Sequence, residues 1–311
     1  MDTATVERFE AGRSRLASLA YRLLGSAADA EDVVQDAFLR WQAADRDRIE
    51  VPEAWLTKVV TNLSLDRLRS ARARHERAAG AWLPEPLLDG DPMLGPADTV
   101  EQRESVTLAV LRLMEQLSPV ERAVYVLREA FSYTHAEIAD ILDITESASQ
   151  QHTHRARQRI AAGRHAGAAD RASARRIVEA FVAAASSGRT EQLVALLTDD
   201  ATAISDGAGL AAKLQVLRSP LQIARTLRSG FKPTAAKRRF VGAPVSIHAG
   251  VVNGAPAMVA TTGDRVVGVV VLEVRDGKIA GFCGMAATHR LGRITEQWRR
   301  TEHPAPLIES W

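Results

Sequence analysis

The chain of 311 residues contains one cysteine, Cys283, set in an apolar stretch, so no disulfide within it can form and packed cores must supply its stability. A buried packing cysteine and a reducing cytoplasm fit that count. No segment approaches the ~20 consecutive apolar residues of a membrane span. The opening Met1-Asp2-Thr3-Ala4 also lacks the basic-then-apolar pattern of a secretory signal, so a cytoplasmic protein with no membrane partner is expected. There is no Walker loop, GxGxxG, HExxH, or GxSxG in a fitting context. Toward the C-terminus Asp199, Asp200, Asp206, His248 and Asp264 are the obvious acid or base candidates, and no pair among them stands out as a dyad. His152 and His154 lie at i and i+2, which diverge on a helix. An enzyme is therefore not expected, nor a metal or other cofactor.

Hydrophobic residues at 46% and charged residues at 25% are ordinary for a globular chain, and the length suits two or three domains. The net charge of +2 points to no partner by itself. The charges are unevenly spread, however. Asp29, Glu31, Asp32 and Asp36 fall within eight residues with no base between them. At helical spacing Asp29, Asp32 and Asp36 share one face, with Gln35 beside them. Such a face is either plain solvated surface or a docking patch for a basic partner. From Trp55 to Arg77 the sign reverses, with Lys58, Arg67, Arg69, Arg72, Arg74 and Arg77 against Asp66 and Glu76. Asn62 and Asp66 lie one turn apart on that helix, and Trp41 and Trp55 bracket the preceding loop. Polar and aromatic groups beside a basic stripe suit unstacked bases, while burial in the core is the other fate of each tryptophan.

Helical periodicity runs from about Val6 to Arg77, with a capping pattern at Ser26 and Asp29 and a helix opened by Pro52. Pro84, Pro86, Gly90, Pro92, Gly95 and Pro96 then mark a linker. Capping boxes at Ser118-Pro119-Val120-Glu121 and Thr134-His135-Ala136-Glu137 open helices in a second block. There Thr134–Leu142, the turn Asp143-Ile144 and a cap at Thr145 have the spacing of a helix-turn-helix, Asp143 replacing the usual turn glycine. From Ser147 to Ala169 there is no acid. Gln150, Gln151, His154, Arg155 and Arg157 are donors suited to base edges and phosphates, although a plain helical hairpin with basic ends has the same pattern.

The last block mixes helices (Ser173 to Ser187, Thr190 to Leu197, Pro220 to Ser229) with strands. Alternating β-branched runs predict strands at Arg238 to His248, Ala257 to Thr262, Arg265 to Arg275 and Lys278 to Met285. Asp276-Gly277 predicts a tight hairpin between the last two. The expected organisation is two all-α domains (1–78 and 105–164) joined by a linker (79–104), an α+β domain (170–287), and a surface or disordered tail (288–311).

The run Ala20-Tyr21-Arg22-Leu23-Leu24-Gly25 through Ala28-Asp29-Ala30-Glu31-Asp32-Val33-Val34-Gln35-Asp36-Ala37-Phe38 resembles region 2 of extracytoplasmic-function sigma factors. Pro52-Glu53-Ala54-Trp55-Leu56 and Thr61-Asn62-Leu63-Ser64-Leu65-Asp66-Arg67-Leu68-Arg69 resemble the promoter-melting helices of that family. Leu117-Ser118-Pro119-Val120-Glu121-Arg122 resembles the opening of its region 4. The resemblance implies a transcription-initiation subunit whose partners are core RNA polymerase, through the largest-subunit clamp coiled coil and the flap, and promoter DNA. By position it assigns polymerase docking to Asp29, Glu31, Asp32, Gln35 and Asp36. It assigns the −10 element to Trp55, Lys58, Asn62, Asp66, Arg67, Arg69 and Arg72, and the −35 element to Gln150, Gln151, His154, Arg155 and Arg157. The linker Trp82-Leu83-Pro84-Glu85-Pro86-Leu87 and the last block resemble a subgroup with an appended SnoaL-like cone domain that touches the linker and adjusts activity in cis. Trp82, Pro84, Glu85, Pro86, Asp206, Gly207, Asn253 and Gly254 are the expected regulatory contacts. A second reading makes that domain a sensor of an unidentified small ligand, or a residual enzyme.

Overall fold

The protein is described by a computed structural model over residues 3–75, 83–95, 99–163, 171–209, 214–232, 234 and 242–310. It divides into two compact units, Met1–Ala79 with Gly90–Arg164, and Gly80–Asp89 with His165–Trp311.

The first unit is helical. Its first half packs α1 (Thr3–Leu24), α2 (Ala27–Ala43) and α3 (Pro52–His75). Gly25, at φ 65, ends α1 where a side chain would be strained, and the Ser26 hydroxyl accepts from Asp29 N at 3.2 Å to start α2. Phe9, Leu19, Leu23, Ala30, Val33, Val34, Leu56 and Val60 form the buried seam. Trp41 belongs to it, with its indole N–H donating to the Thr5 carbonyl at 3.1 Å. Trp55 is only half-buried and tilts against the Trp41 ring at 5.7 Å.

The second half contains α4 (Val100–Glu104), α5 (Leu108–Met114), α6 (Pro119–Phe131), α7 (His135–Leu142) and α8 (Glu146–Gly163). Both expected capping boxes close, Ser118 with Glu121 and Thr134 with Glu137. Asp143 takes the left-handed conformation that the helix-turn-helix requires, at φ 53, and Thr145 caps α8 through Ala148 N at 3.1 Å.

The stretch 79–104, expected to be a linker, is structured in pieces. Residues Asp91 to Gly95 make a 3-10 turn against α1, with Met93 buried, and α4 begins before the linker was expected to end. Residues 83–89 instead belong to the second unit. Proline and glycine marked the breaks correctly, but the spaced apolar residues Leu83, Leu87, Leu88 and Met93 find buried sites.

The second unit packs α9 (Arg171–Ser186), α10 (Thr190–Leu196) and α11 (Pro220–Phe231) on a mixed sheet of order β2-β1-β6-β5-β4-β3. The strands are β1 (Leu197–Ser205), β2 (Gln215–Leu217), β3 (Ser246–Val252), β4 (Ala255–Thr262), β5 (Arg265–Arg275) and β6 (Lys278–Met285). Phe181 meets Phe231 edge-on at 6.0 Å and Phe282 at 6.3 Å in the core between helices and sheet. The hairpin at Asp276-Gly277 is as expected, at φ 52 and 76. Three corrections apply to this unit. The strand expected over Arg238 to His248 begins at Ser246 and runs to Val252, where Asn253-Gly254, at φ 50 and 72, forms the hairpin turn; residues 235–241 lie outside the described residues. Strand β1 was not foreseen, because Asp199 and Asp200 interrupt its apolar alternation and its parallel pairing with β6 is not a local interaction. The expected loose tail instead forms α12 (Gly292–Arg300), which packs on β5 with Leu291, Ile294 and Trp298 buried, and Ile308 then bridges Ile247 of β3. Those three apolar residues are one helical face that the surrounding arginines obscure.

Gly95 is a tightly packed backbone position in the first unit. Its φ of 68 and ψ of −166 lie in a region essentially confined to glycine, and an added Cβ would collide with Ser18 Oγ and come within 3.0 Å of Arg22 Nη1. Gly95→Ala is expected to cost ~1–3 kcal/mol, read as a lowered midpoint of thermal unfolding; an unchanged midpoint would contradict the tight packing of this turn.

Candidate functional site

The exposed face of α2 presents Asp29, Asp32 and Asp36 together, with Glu31 and Gln35 also in solvent. Packing α3 against α2 brings Arg67 into that face. Its Nη1 lies 3.0 Å from Asp29 and 3.3 Å from Asp32, and its Nη2 lies 3.6 Å from Asp36. One guanidinium serves three carboxylates and relieves their mutual repulsion. These are surface pairs, worth ~0–1 kcal/mol each, so an incoming charged partner can exchange with them.

Among the described side chains of the expected stripe, Lys58 and Arg69 are also engaged. Arg69 pairs with Asp66 one turn back, at 3.2 Å. Lys58 Nζ reaches Asp143 Oδ1 at 2.7 Å and the Asp140 carbonyl at 2.8 Å, both in the helix-turn-helix. Asn62 is half-buried on the same helix, and Trp55 opens it. The Arg72 side chain lies outside the described residues.

On α8, Gln150, Gln151 and His154 are exposed near the N-terminal half, the part of a recognition helix that meets base edges. Arg155 and Arg157 are exposed but tethered to α6. Arg157 donates through Nε and Nη2 to Glu129 at 3.0 and 2.8 Å. Arg155 and Arg159 pair with Glu121 at 3.3 and 2.6 Å. Burial alone would raise the Glu121 pKa, but hydrogen bonds from Ser118, with Arg159 and Arg155 beside it, hold the carboxyl below its usual range. Arg155 and Arg159 therefore tie α8 to α6 through Glu121.

A third constellation joins the linker to the α+β unit. Asn253 is fully buried at the β3–β4 turn. Its Oδ1 accepts from Leu87 N at 2.9 Å, and its own N–H donates to the Leu87 carbonyl at 2.9 Å. Leu88 bridges Val252, Asp89 N donates to Val251 O at 3.0 Å, and Leu88 N donates to Gln297 Oε1 at 3.1 Å. The Arg290 guanidinium holds the Leu83 carbonyl. Pro84 and Pro86 are buried and Glu85 is half-buried, whereas Trp82 lies outside the described residues. Of the residues expected at this contact, Asn253 is central and Gly254 supplies the turn. Asp206 has another role. Its buried carboxylate accepts from Ala208 N, Ala286 N and Ala287 N at 3.0, 3.0 and 2.9 Å, fastening the end of β6 to the turn that begins at Gly207. Sequence reasoning missed Gln297 and Arg290, which reach the linker only because the tail folds back as α12.

Among the described residues no group of three His, Cys, Asp or Glu side chains is placed to hold a metal ion, and no helix is long and apolar enough to cross a membrane.

Comparison with known proteins follows this division. The Sigma-70 region 2 family matches residues 8–74, and the Sigma-70, region 4 family matches residues 107–160. The ECF RNA polymerase sigma factor SigJ of Mycobacterium tuberculosis is 41% identical over 207 residues, 66% of each chain. The probable ECF RNA polymerase sigma factor SigI of the same organism is 33% identical over 276 residues, 87% of this chain and 89% of that one. The crystal structure of M. tuberculosis extracytoplasmic function sigma factor SigJ superposes with a TM-score of 0.69 at 30% identity, covering 92% of this chain and 97% of that one, so the likeness runs through the SnoaL-like α+β unit. With both helical halves matched in order and full-length relatives aligned across them, the chain belongs to the extracytoplasmic-function family of RNA polymerase sigma factors.

Proposed function

We propose that the acidic face of α2, with Asp29, Glu31, Asp32, Gln35 and Asp36, docks on a basic surface of core RNA polymerase, the clamp coiled coil of its largest subunit. In this reading α3 lies over the −10 element. Trp55 offers a ring for an unstacked base, Asn62 and Asp66 meet base edges, and Lys58, Arg67, Arg69 and Arg72 approach the backbone once their present partners exchange. The exposed N-terminal half of α8 reads the −35 duplex through Gln150, Gln151 and His154, while Arg155 and Arg157 contact phosphate from a helix they also orient. The flap of the polymerase is the partner for the second helical half. The observation that carries this reading is the single exposed face on which Asp29, Asp32 and Asp36 converge.

The α+β unit acts in cis by holding the linker through Asn253, Gln297 and Arg290. We read it as a regulatory domain and the whole chain as no enzyme. Two observations support this. The Asp206 carboxylate is taken up by three backbone N–H groups, and His248 is packed edge-on against Trp298 at 5.0 Å. Its place of action is the cytoplasm, where the polymerase works.

Reversing the charge at Asp32 and Asp36 is expected to weaken binding to core polymerase on the order of tenfold or more, measured by titration with labelled protein. Arg67→Ala run in parallel separates loss of the acids from loss of the Arg67 tether, and unchanged core affinity in the reversed variant would remove the docking assignment. Gln151→Ala is expected to cost ~1–3 kcal/mol and to relax preference at one −35 position, whereas Arg157→Ala should weaken all sequences alike; identical selectivity profiles for both variants in a promoter-library assay would contradict these roles. Asn253→Ala leaves a buried Leu87 N–H without its acceptor, at ~1–3 kcal/mol, so limited proteolysis within residues 83–89 should accelerate and transcription output should change. Cleavage at the parental rate would show that Asn253 does not hold the linker.

A further inference from the structure

Two exposed helix stripes in this chain match each other in charge and spacing, and neither is fully neutralised by the fold. On α11 the side chains Leu221, Arg225, Arg228 and Lys232 stand at i, i+4, i+7 and i+11, all exposed and opposite the core-facing Ile223, Ala224, Leu227 and Phe231. From Gly207 to Gly263 the sequence holds no acid. Lys58, Arg67, Arg69, Arg155 and Arg157 are neutralised by carboxylates, whereas Arg225 and Arg228 have none within ion-pair reach among the described residues. Like charges one turn apart repel, and the helix dipole favours bases only in the last turn, so Arg225 is a cost that the fold itself does not recover.

The second stripe is on α2. Asp29, Asp32, Asp36 and Leu39 stand at i, i+3, i+7 and i+10, with the single guanidinium of Arg67 among the three carboxylates. Arg40, the one base of α2, follows at the C-terminal end. Leu39 is 54% exposed and Leu221 46%, two of the few large apolar side chains that the described residues leave in solvent. Laid antiparallel, the stripes pair along their length: Leu39 meets Leu221, Asp36 meets Arg225, Asp32 meets Arg228 and Asp29 meets Lys232. Counted from the leucines, the acids fall at 3, 7 and 10 residues and the bases at 4, 7 and 11. No pair is out of step by more than one residue, ~1.5 Å of helix rise, which long basic side chains absorb. A nucleic-acid backbone would take the bases but leave Leu221 in water, so the leucine favours a protein partner with an apolar end.

We infer that α11 of one copy of the chain docks antiparallel on α2 of a second copy and covers the acidic face there. The inference rests on the docking reading proposed above, in that covering this face regulates the chain only if core polymerase needs it. Arg225 and Arg228 bring the positive charge that Arg67 alone does not supply against three carboxylates. The contact is heterologous: one copy gives α11 and the next gives α2, so each assembly keeps one free face at either end and copies add head to tail. Exposed ion pairs make it weak and sensitive to salt. It forms where chains accumulate without polymerase and yields when polymerase competes for α2.

Sedimentation velocity of the full-length chain at low salt should show the weight-average coefficient rising with concentration and falling back as salt is added. Arg225→Glu with Arg228→Glu, and separately Asp32→Arg with Asp36→Arg, should each raise the dissociation constant at least about tenfold. Arg225→Gln with Arg228→Gln should act in the same direction, which guards against a misfolded reversal. Mixing the two charge-reversed chains puts opposite charges back across the contact and should restore association. A parent that stays monomeric throughout, or a mixture that stays apart, overturns the inference. If the parent stays monomeric while the α11 reversal lowers affinity for a random duplex, the stripe belongs to nucleic acid and self-docking is discarded. Titration with labelled core polymerase reports separately on the docking reading: polymerase in excess should disperse the parent to single copies. Loss of self-association in the Asp32 and Asp36 reversal with core affinity unchanged leaves the contact between copies standing and removes the polymerase reading.

Discussion

The charged surface of the helical unit turns on one arginine among three carboxylates. Asp29, Asp32 and Asp36 would repel one another on α2, and Arg67 relieves that repulsion from α3, whose place against α2 is set by the buried seam. The acidic and basic surfaces are therefore not independent patches. They share a residue, and a partner that meets the acids also changes what Arg67 is free to do. Because each pair is exposed, breaking it is close to neutral in energy.

The same economy recurs across the molecule. Lys58 is neutralised by the turn of the helix-turn-helix, Arg69 by Asp66, and Arg155 and Arg157 by Glu121 and Glu129. Among the described residues, a chain of modest net charge keeps these cations paired internally. The linker is treated differently. Residues 83–89 are fixed by backbone and amide hydrogen bonds to Asn253 and Gln297, with Leu83 and Leu87 fully buried, and such bonds are lost only at the cost of orphaned polar groups. Surface charges exchange readily, whereas the linker needs a larger event to let go.

Much of the local structure was legible. The caps at Ser26, Ser118 and Thr134, the left-handed Asp143 and the turn at Asp276-Gly277 each follow from a few neighbouring residues whose hydrogen-bonding and φ preferences are intrinsic. The acidic face of α2 was legible because helical period alone places Asp29, Asp32 and Asp36 together. The strand β1, the helix α12 and the order within residues 83–95 were not legible. Each depends on a surface that comes from elsewhere in the chain: β6 for β1, β5 for α12, and for the linker pieces the end of β3 and the flank of α1.

What the sequence alone determined is therefore the set of elements with intrinsic period and capping, their order, and the family likeness carried by the runs around Asp32, Asn62 and Ser118. Only the tertiary structure decided which charges are spoken for. Arg67, Lys58, Arg155 and Arg157 read as open cations along the chain and are paired in space, and Asp206 reads as a motif residue and serves as a backbone fastener. The reason is that side-chain charge is a local property, while the partner that neutralises it is set by packing between segments far apart in sequence.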